Sequence, residues 1–147
     1  MKTVHPSPLL KNALRADALV SAATGVLQLA AADKLAMLLD LPRGLLSGSG
    51  EFFLAYAGVL LVMAGRLRLP SWAVVFIVLG NLLWGVACVA LPIEGVLAPN
   101  ALGWGFLGIQ AAAVATFAVL EWLGLRNSAT AAAAGERQQR QAHGSAL

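Results

Sequence analysis

The chain has 147 residues, 59% of them apolar and only 12% charged, with a mean hydropathy of +0.78. An ordinary soluble domain is about half apolar and about a quarter charged, so a soluble globular monomer and a wholly disordered chain are both excluded. The net charge of +3 is spread thinly, with no basic cluster to grip nucleic acid, and a lone Cys88 rules out an internal disulfide or a CxxC pair.

A bilayer span takes roughly 20 apolar residues, and the chain divides into four such runs. Ser7-Pro8 is a helix-start signal, an N-cap hydroxyl followed by a proline whose missing N–H costs nothing. The first span is expected over about 13–32. Asp33 then caps a short helix, Lys34 to Leu41, stopped by Pro42 and expected to lie at the membrane interface. Arg43-Gly44, Ser47-Gly48 and Ser49-Gly50 read as a flexible loop. The second span covers about 52–69, closed by Arg66, Arg68 and Pro70. Ser71 caps the third, about 71–91, which stops at Pro92. Asn100 caps the fourth, about 101–125. Residues 1–126 thus form an all-α, integral membrane four-helix bundle with a short interfacial helix after the first span. Residues 127–147 form an alanine-rich polar tail, expected to be mobile on the cytoplasmic side.

Lys11, Arg15, the apolar run and Ala30-Ala31-Ala32 also imitate a secretory signal with an A-x-A site. Asp17, Thr24, Gly25 and Gln28 interrupt that run, so four spans are the expectation. Orientation follows from the basic residues. Lys2, Lys11, Arg15, Arg66, Arg68, Arg126, Arg137 and Arg140 fall on one side, and only Lys34 and Arg43 on the other. Both termini are therefore expected in the cytoplasm.

Polar residues inside spans are expensive, so they are where function is sought. Asp17, Ser21, Thr24 and Gln28 follow at steps of four, three and four, which puts them on one helix face. Asn81, Trp84 and Cys88 share a face of the third span; Gln110, Val114, Phe117 and Glu121 share one of the fourth. Asp17, Ser21, Thr24, Gln28, Asn81, Trp84 and Gln110 are the candidates to line a ligand site; the competing reading is interhelical hydrogen bonding. Asn81 and Gln110 both come out about 14 Å deep, so they are expected to bond across the third and fourth helices. The expected ion pairs are Arg15 with Glu121, and Asp17 with Arg66, Arg68 or Arg126.

Gly103-Trp104-Gly105-Phe106-Leu107-Gly108 matches GxGxxG, which signals a dinucleotide only between a strand and a helix. Inside a membrane segment it reads as a packing surface. Gly103, Gly108, Ala111, Ala112 and Ala115 would admit a neighbouring helix of the same chain or of a second copy. Trp72, Trp104 and Trp122 sit near predicted span ends as interface anchors. His5 and His143 both lie outside the spans, so no intramembrane bis-histidine haem site forms within a chain. No catalytic residue, metal ligand or cofactor is assigned.

The run from Leu14 to Gly25, the segment Asn81-Leu82-Leu83-Trp84, and Glu121-Trp122-Leu123-Gly124-Leu125-Arg126 resemble a group of small four-span bacterial inner-membrane proteins of uncharacterised function. The likeness covers most of residues 9–126, and the topology is loosely similar to DoxX-like proteins. It implies a cytoplasmic-membrane bundle and supplies no catalytic residue. Three functions remain open. The leading one is a non-catalytic accessory or structural bundle, with the lipid bilayer around it and a second copy or another membrane protein as partner. The alternatives are a small membrane carrier or hydrophobic-ligand-binding bundle, and a subunit of a membrane oxidoreductase.

Overall fold

A computed structural model describes the backbone of residues 3–144 and the side chains of residues 3–129. The described residues form five helices and one two-stranded ladder: β1 Thr3–Val4, α1 Pro8–Ala30, α2 Ala32–Leu39, α3 Arg43–Gly65, β2 Leu69–Pro70, α4 Ser71–Ile93 and α5 Ala101–Gly144. The all-α bundle expected from sequence is what forms. Its outer surface is apolar, with Leu19, Leu61, Phe76, Leu83 and Ile109 all exposed, while Asp17, Gln28, Asn81 and Glu121 are buried. Such an inside-out distribution suits a lipid solvent.

Among the described residues, three helices are long and apolar enough to cross a membrane by themselves: α3, α4 and the Ala101–Ala129 part of α5. The fourth crossing exists only if α1 and α2 count together, and they are bent by 90° at Ala31. The reason is in the sequence, since Lys11, Arg15 and Asp17 dilute the first half of α1. The short helix expected over 34–41 is α2, and it ends at Asp40 in the left-handed region, with φ 51°.

The expected loop before the second span does not form. Helix α3 begins at Arg43, directly after Pro42, and runs through Ser47, Gly48, Ser49 and Gly50. The Ser47 and Ser49 hydroxyls donate to the Arg43 and Leu45 carbonyls one turn back, so these turn-forming residues fold their hydrogen bonds into the helix. The same span ends earlier than expected, at Gly65, because Leu69 and Pro70 pair antiparallel with Val4 and Thr3. Pro70 rather than Ser71 occupies the N-cap of α4, and that helix carries Pro92 within its last turn. Helix α5 passes through Gly135 to Gly144; the tail's side chains from residue 130, and all of 145–147, lie outside the described residues.

Helix α1 packs mainly on α3 and then on α5, while α4 packs on α5. Two anchors fix the start of α1. Its N-cap Ser7 accepts from the Leu10 N–H and donates to the Gly124 carbonyl, while the Ser7 N–H donates to Ser128 Oγ. Gly124 permits this, because a Cβ there would stand 2.7 Å from Leu10 Cα. At the opposite end Asn100 caps α5 as expected, accepting from the Gly103 N–H, and donates to the Leu38 carbonyl of α2. One buried cluster around Leu10, Leu14, Leu60 and Val74 fills the first end, and a second around Leu39, Leu46, Cys88 and Leu107 fills the other.

Candidate functional site

Polar side chains meet in two layers between these apolar clusters. The first layer draws on all four long helices. Asp17 of α1 and Glu121 of α5 are 1% and 0% exposed, and Asn81 of α4 lies between them. Asn81 Nδ2 donates to Asp17 Oδ2 at 2.9 Å and to Glu121 Oε2 at 3.2 Å. Ser21 Oγ, one turn along α1, donates to Asp17 Oδ1 at 3.0 Å. Tyr56 of α3 completes the layer, its hydroxyl 3.1 Å from both Asp17 Oδ2 and Asn81 Oδ1. A phenol has one proton, so it serves one of these acceptors at a time. Glu121 Oε1 is buried with no hydrogen-bond partner among the described residues.

The helix geometry explains the convergence. Asp17, Ser21 and Gln28 are buried on one face of α1, as the spacing predicted, with Gly25 among them; Thr24, at the edge of that face, is half-buried. Asn81 and Glu121 occupy the facing positions of α4 and α5. Among the described residues, the expected pairs of Arg15 with Glu121 and of Asp17 with Arg66 or Arg68 do not form. Those three arginines are exposed, and Asp17 and Glu121 accept hydrogen bonds from neutral donors. Long cationic side chains reach the headgroup region more cheaply than a dry helix interface.

The second layer lies farther along the bundle. Eleven residues separate Asp17 from Gln28 along α1, and Gln110 from Glu121 along α5, about 16 Å in each helix. Here Ser49 Oγ donates to Gln28 Oε1 at 2.9 Å, and Trp84 Nε1 donates to Gln110 Oε1 at 3.4 Å. The expected Asn81–Gln110 bond therefore does not form. Equal depth measured from opposite ends of antiparallel helices put the two amides at one level, but Asn81 is engaged by the carboxyls and Gln110 by the indole. Aromatic rings link Tyr56 of the first layer to Trp84 of the second. Phe53 meets Trp84 edge-on at 5.0 Å between centroids, and Phe52 stacks on Tyr56 at 5.9 Å.

A cavity of about 60 Å³ adjoins the second layer. Gln28, Ser49, Trp84 and Gln110 give it a polar rim, and Leu46, Cys88 and Leu107 are part of its apolar wall. Three ligand-lining candidates, Gln28, Trp84 and Gln110, thus share one cavity, while Asp17, Ser21 and Asn81 belong to the other layer. Among the described residues no group of three or more His, Cys, Asp or Glu is placed to hold a metal ion.

The small-residue face of α5 divides in two. Gly103 is buried where a Cβ would lie 2.3 Å from the Leu39 carbonyl oxygen, and Ala111 lies against Gly85 of α4. Gly108, Ala112 and Ala115 face outward. Sequence reasoning missed Tyr56 and Ser49. Tyr56 is the lone uncharged polar side chain between Phe52 and Leu69, which was a usable signal; Ser49 was hidden by its assignment to a loop. Comparison with protein-family models, curated proteins and solved structures finds no match.

Proposed function

We propose that the chain is a ligand-binding membrane bundle of the small-carrier type, taking a compact and largely apolar molecule with one or two hydrogen-bonding groups. The observation that carries this reading is the cavity bounded by Gln28, Ser49, Trp84 and Gln110. An apolar wall with a few convergent polar groups is the common form of a small-molecule site. A purely structural bundle, the leading expectation from sequence, would gain more from filling that space with a side chain. The bent pair α1–α2 counts as the first of four spans. The membrane is the bacterial inner membrane, with both termini cytoplasmic. Eight of the ten basic residues on one predicted side support that orientation.

Trp84 provides the test. In a Trp72→Phe, Trp104→Phe, Trp122→Phe background it is the only indole left. 2-Bromoethanol, a compact apolar quencher with one hydroxyl, is expected to quench its emission saturably. Ala87→Leu, which places bulk in the cavity wall, is expected to abolish the saturable part. Quenching that rises linearly and equally in both proteins would overturn the reading.

A further inference from the structure

Helix α3 packs on α1 and α4 packs on α5, while the backbones of α3 and α4 approach each other little. Between these two helices, at the end closed by the β1–β2 ladder, runs an open groove of about 560 Å³. Its α3 wall is a single stripe. Ala55, Gly58, Val59, Val62 and Arg66 follow at steps of three, one, three and four, which keeps them on one helix face. A Cβ at Gly58 would meet nothing within 4 Å, and Val59 and Val62 are both exposed. From Ala55 to Arg66 the stripe measures about 16 Å, close to one leaflet of a hydrocarbon core about 30 Å thick. Arg66 and Arg68 line the groove at its end, both exposed, together with the exposed Trp72 of α4. No acidic side chain lines it, and neither arginine has an ion pair or hydrogen bond among the described residues.

We propose that this groove binds one anionic phospholipid, with its phosphate at Arg66 and Arg68 and an acyl chain along the α3 stripe. The charge fits, because guanidinium groups stay cationic and grip phosphate oxygens in a fork, and no carboxylate in the groove competes for them. The division of polarity fits as well. Charge is confined to one end and the remaining wall is apolar over one leaflet, as headgroup and chain are divided in a lipid. A basic pocket between membrane helices is a known form of headgroup site. A second copy of the chain in the same orientation matches less well. The exposed acids Asp33, Asp40, Glu51 and Glu94 lie toward the other end of the bundle and bring no anion to the level of the arginines. The bound lipid adds packing between α3 and α4, where the chain itself supplies little, and the site is separate from the interior cavity.

Brominated acyl chains quench tryptophan on contact, so Trp72 reads the occupant of the groove. In a Trp84→Phe, Trp104→Phe, Trp122→Phe background it is the sole indole. The full chain is reconstituted in vesicles of phosphatidylglycerol and phosphatidylcholine with equal chains, with bromine on one lipid or the other. The expected result is a preference for phosphatidylglycerol at Trp72, of about fivefold for each arginine. Arg66→Gln combined with Arg68→Gln is expected to bring that preference to about one. Lys11→Gln combined with Arg15→Gln removes the same charge from α1 at the same end but outside the groove, and is expected to leave it unchanged. Gly58→Leu fills the stripe without altering the arginines, and is expected to lose most of the preference. No preference in the starting protein, equal losses in the two charge-removing pairs, or a preference that Gly58→Leu retains in full would overturn the proposal.

Discussion

Gly25 and Gly50 bring the backbones of α1 and α3 close together: a Cβ on Gly25 would stand 2.8 Å from the Gly50 carbonyl oxygen. A Cβ on Gly50 would in turn stand 3.1 Å from the Gly25 carbonyl oxygen and 3.0 Å from Leu29 Cγ. The contact lies three residues from Gln28 on one helix and one residue from Ser49 on the other. It therefore sets the separation across which those two side chains bond.

Gly25→Ala is expected to force the helices apart, since the obstructing atom is backbone and cannot rotate away. Overpacking of this kind costs about 1–3 kcal/mol, read as a lower Tm in detergent. Gly108→Ala is the control. Nothing lies within 4 Å of its Cβ position, and alanine favours the helix by about 0.5–1 kcal/mol, so stability is expected to hold or rise.

Asn81 is the donor that both buried carboxyls share. Asn81→Leu leaves Asp17 Oδ2 and Glu121 Oε2 without it, on two side chains that are fully buried. The expected loss is about 2–4 kcal/mol, because unsatisfied buried polar groups lose their full solvation. Combining it with Glu121→Leu is expected to recover part of that loss. A double-mutant cycle showing additive effects would mean that Asn81 and Glu121 are not coupled.

Tyr56→Phe tests a weaker member of the same layer. It removes one proton that was divided between Asp17 Oδ2 and Asn81 Oδ1, and Asn81 Nδ2 still holds the Asp17 oxygen. The expected cost is about 1 kcal/mol, clearly below that of Asn81→Leu. Equal losses in the two variants would contradict this ranking of donors.

Helix faces were legible in the sequence, and helix partners were not. The steps from Asp17 to Ser21 to Gln28 fix a face by periodicity alone, and those three residues are buried together. Which side chain on another helix answers each of them depends on axial register. Loop lengths and helix ends determine that register, and both were misread. Placing Arg43 to Gly50 in a loop removed Ser49 from the interior and left Gln28 without its partner. Serine and glycine carry turn propensity in water. In lipid the backbone must bond internally, so the same residues serve close approach within α3. The pairings of Arg15, Arg66 and Arg68 failed for a related reason, since charge complementarity read along a sequence ignores how far a guanidinium can reach toward the headgroups.

The two ends of the bundle differ in how they are closed, and this permits a direct test of topology. Arg68 is exposed between α3 and β2, and Glu94 is exposed after α4, a 23-residue helix about 34 Å long. These two positions therefore lie on opposite sides of any membrane that α4 crosses. Cys88 is buried, so a Cys88→Ala background removes the native thiol with a small loss of wall contact. In that background Arg68→Cys and Glu94→Cys are each exposed to an impermeant maleimide in intact cells. The charge placement predicts labelling of the Glu94→Cys protein from outside, and labelling of the Arg68→Cys protein only after the membrane is opened. The reverse pattern would invert the orientation while leaving the bundle intact. Labelling of both from outside would mean that α4 does not cross, and the four-span arrangement would fall with it.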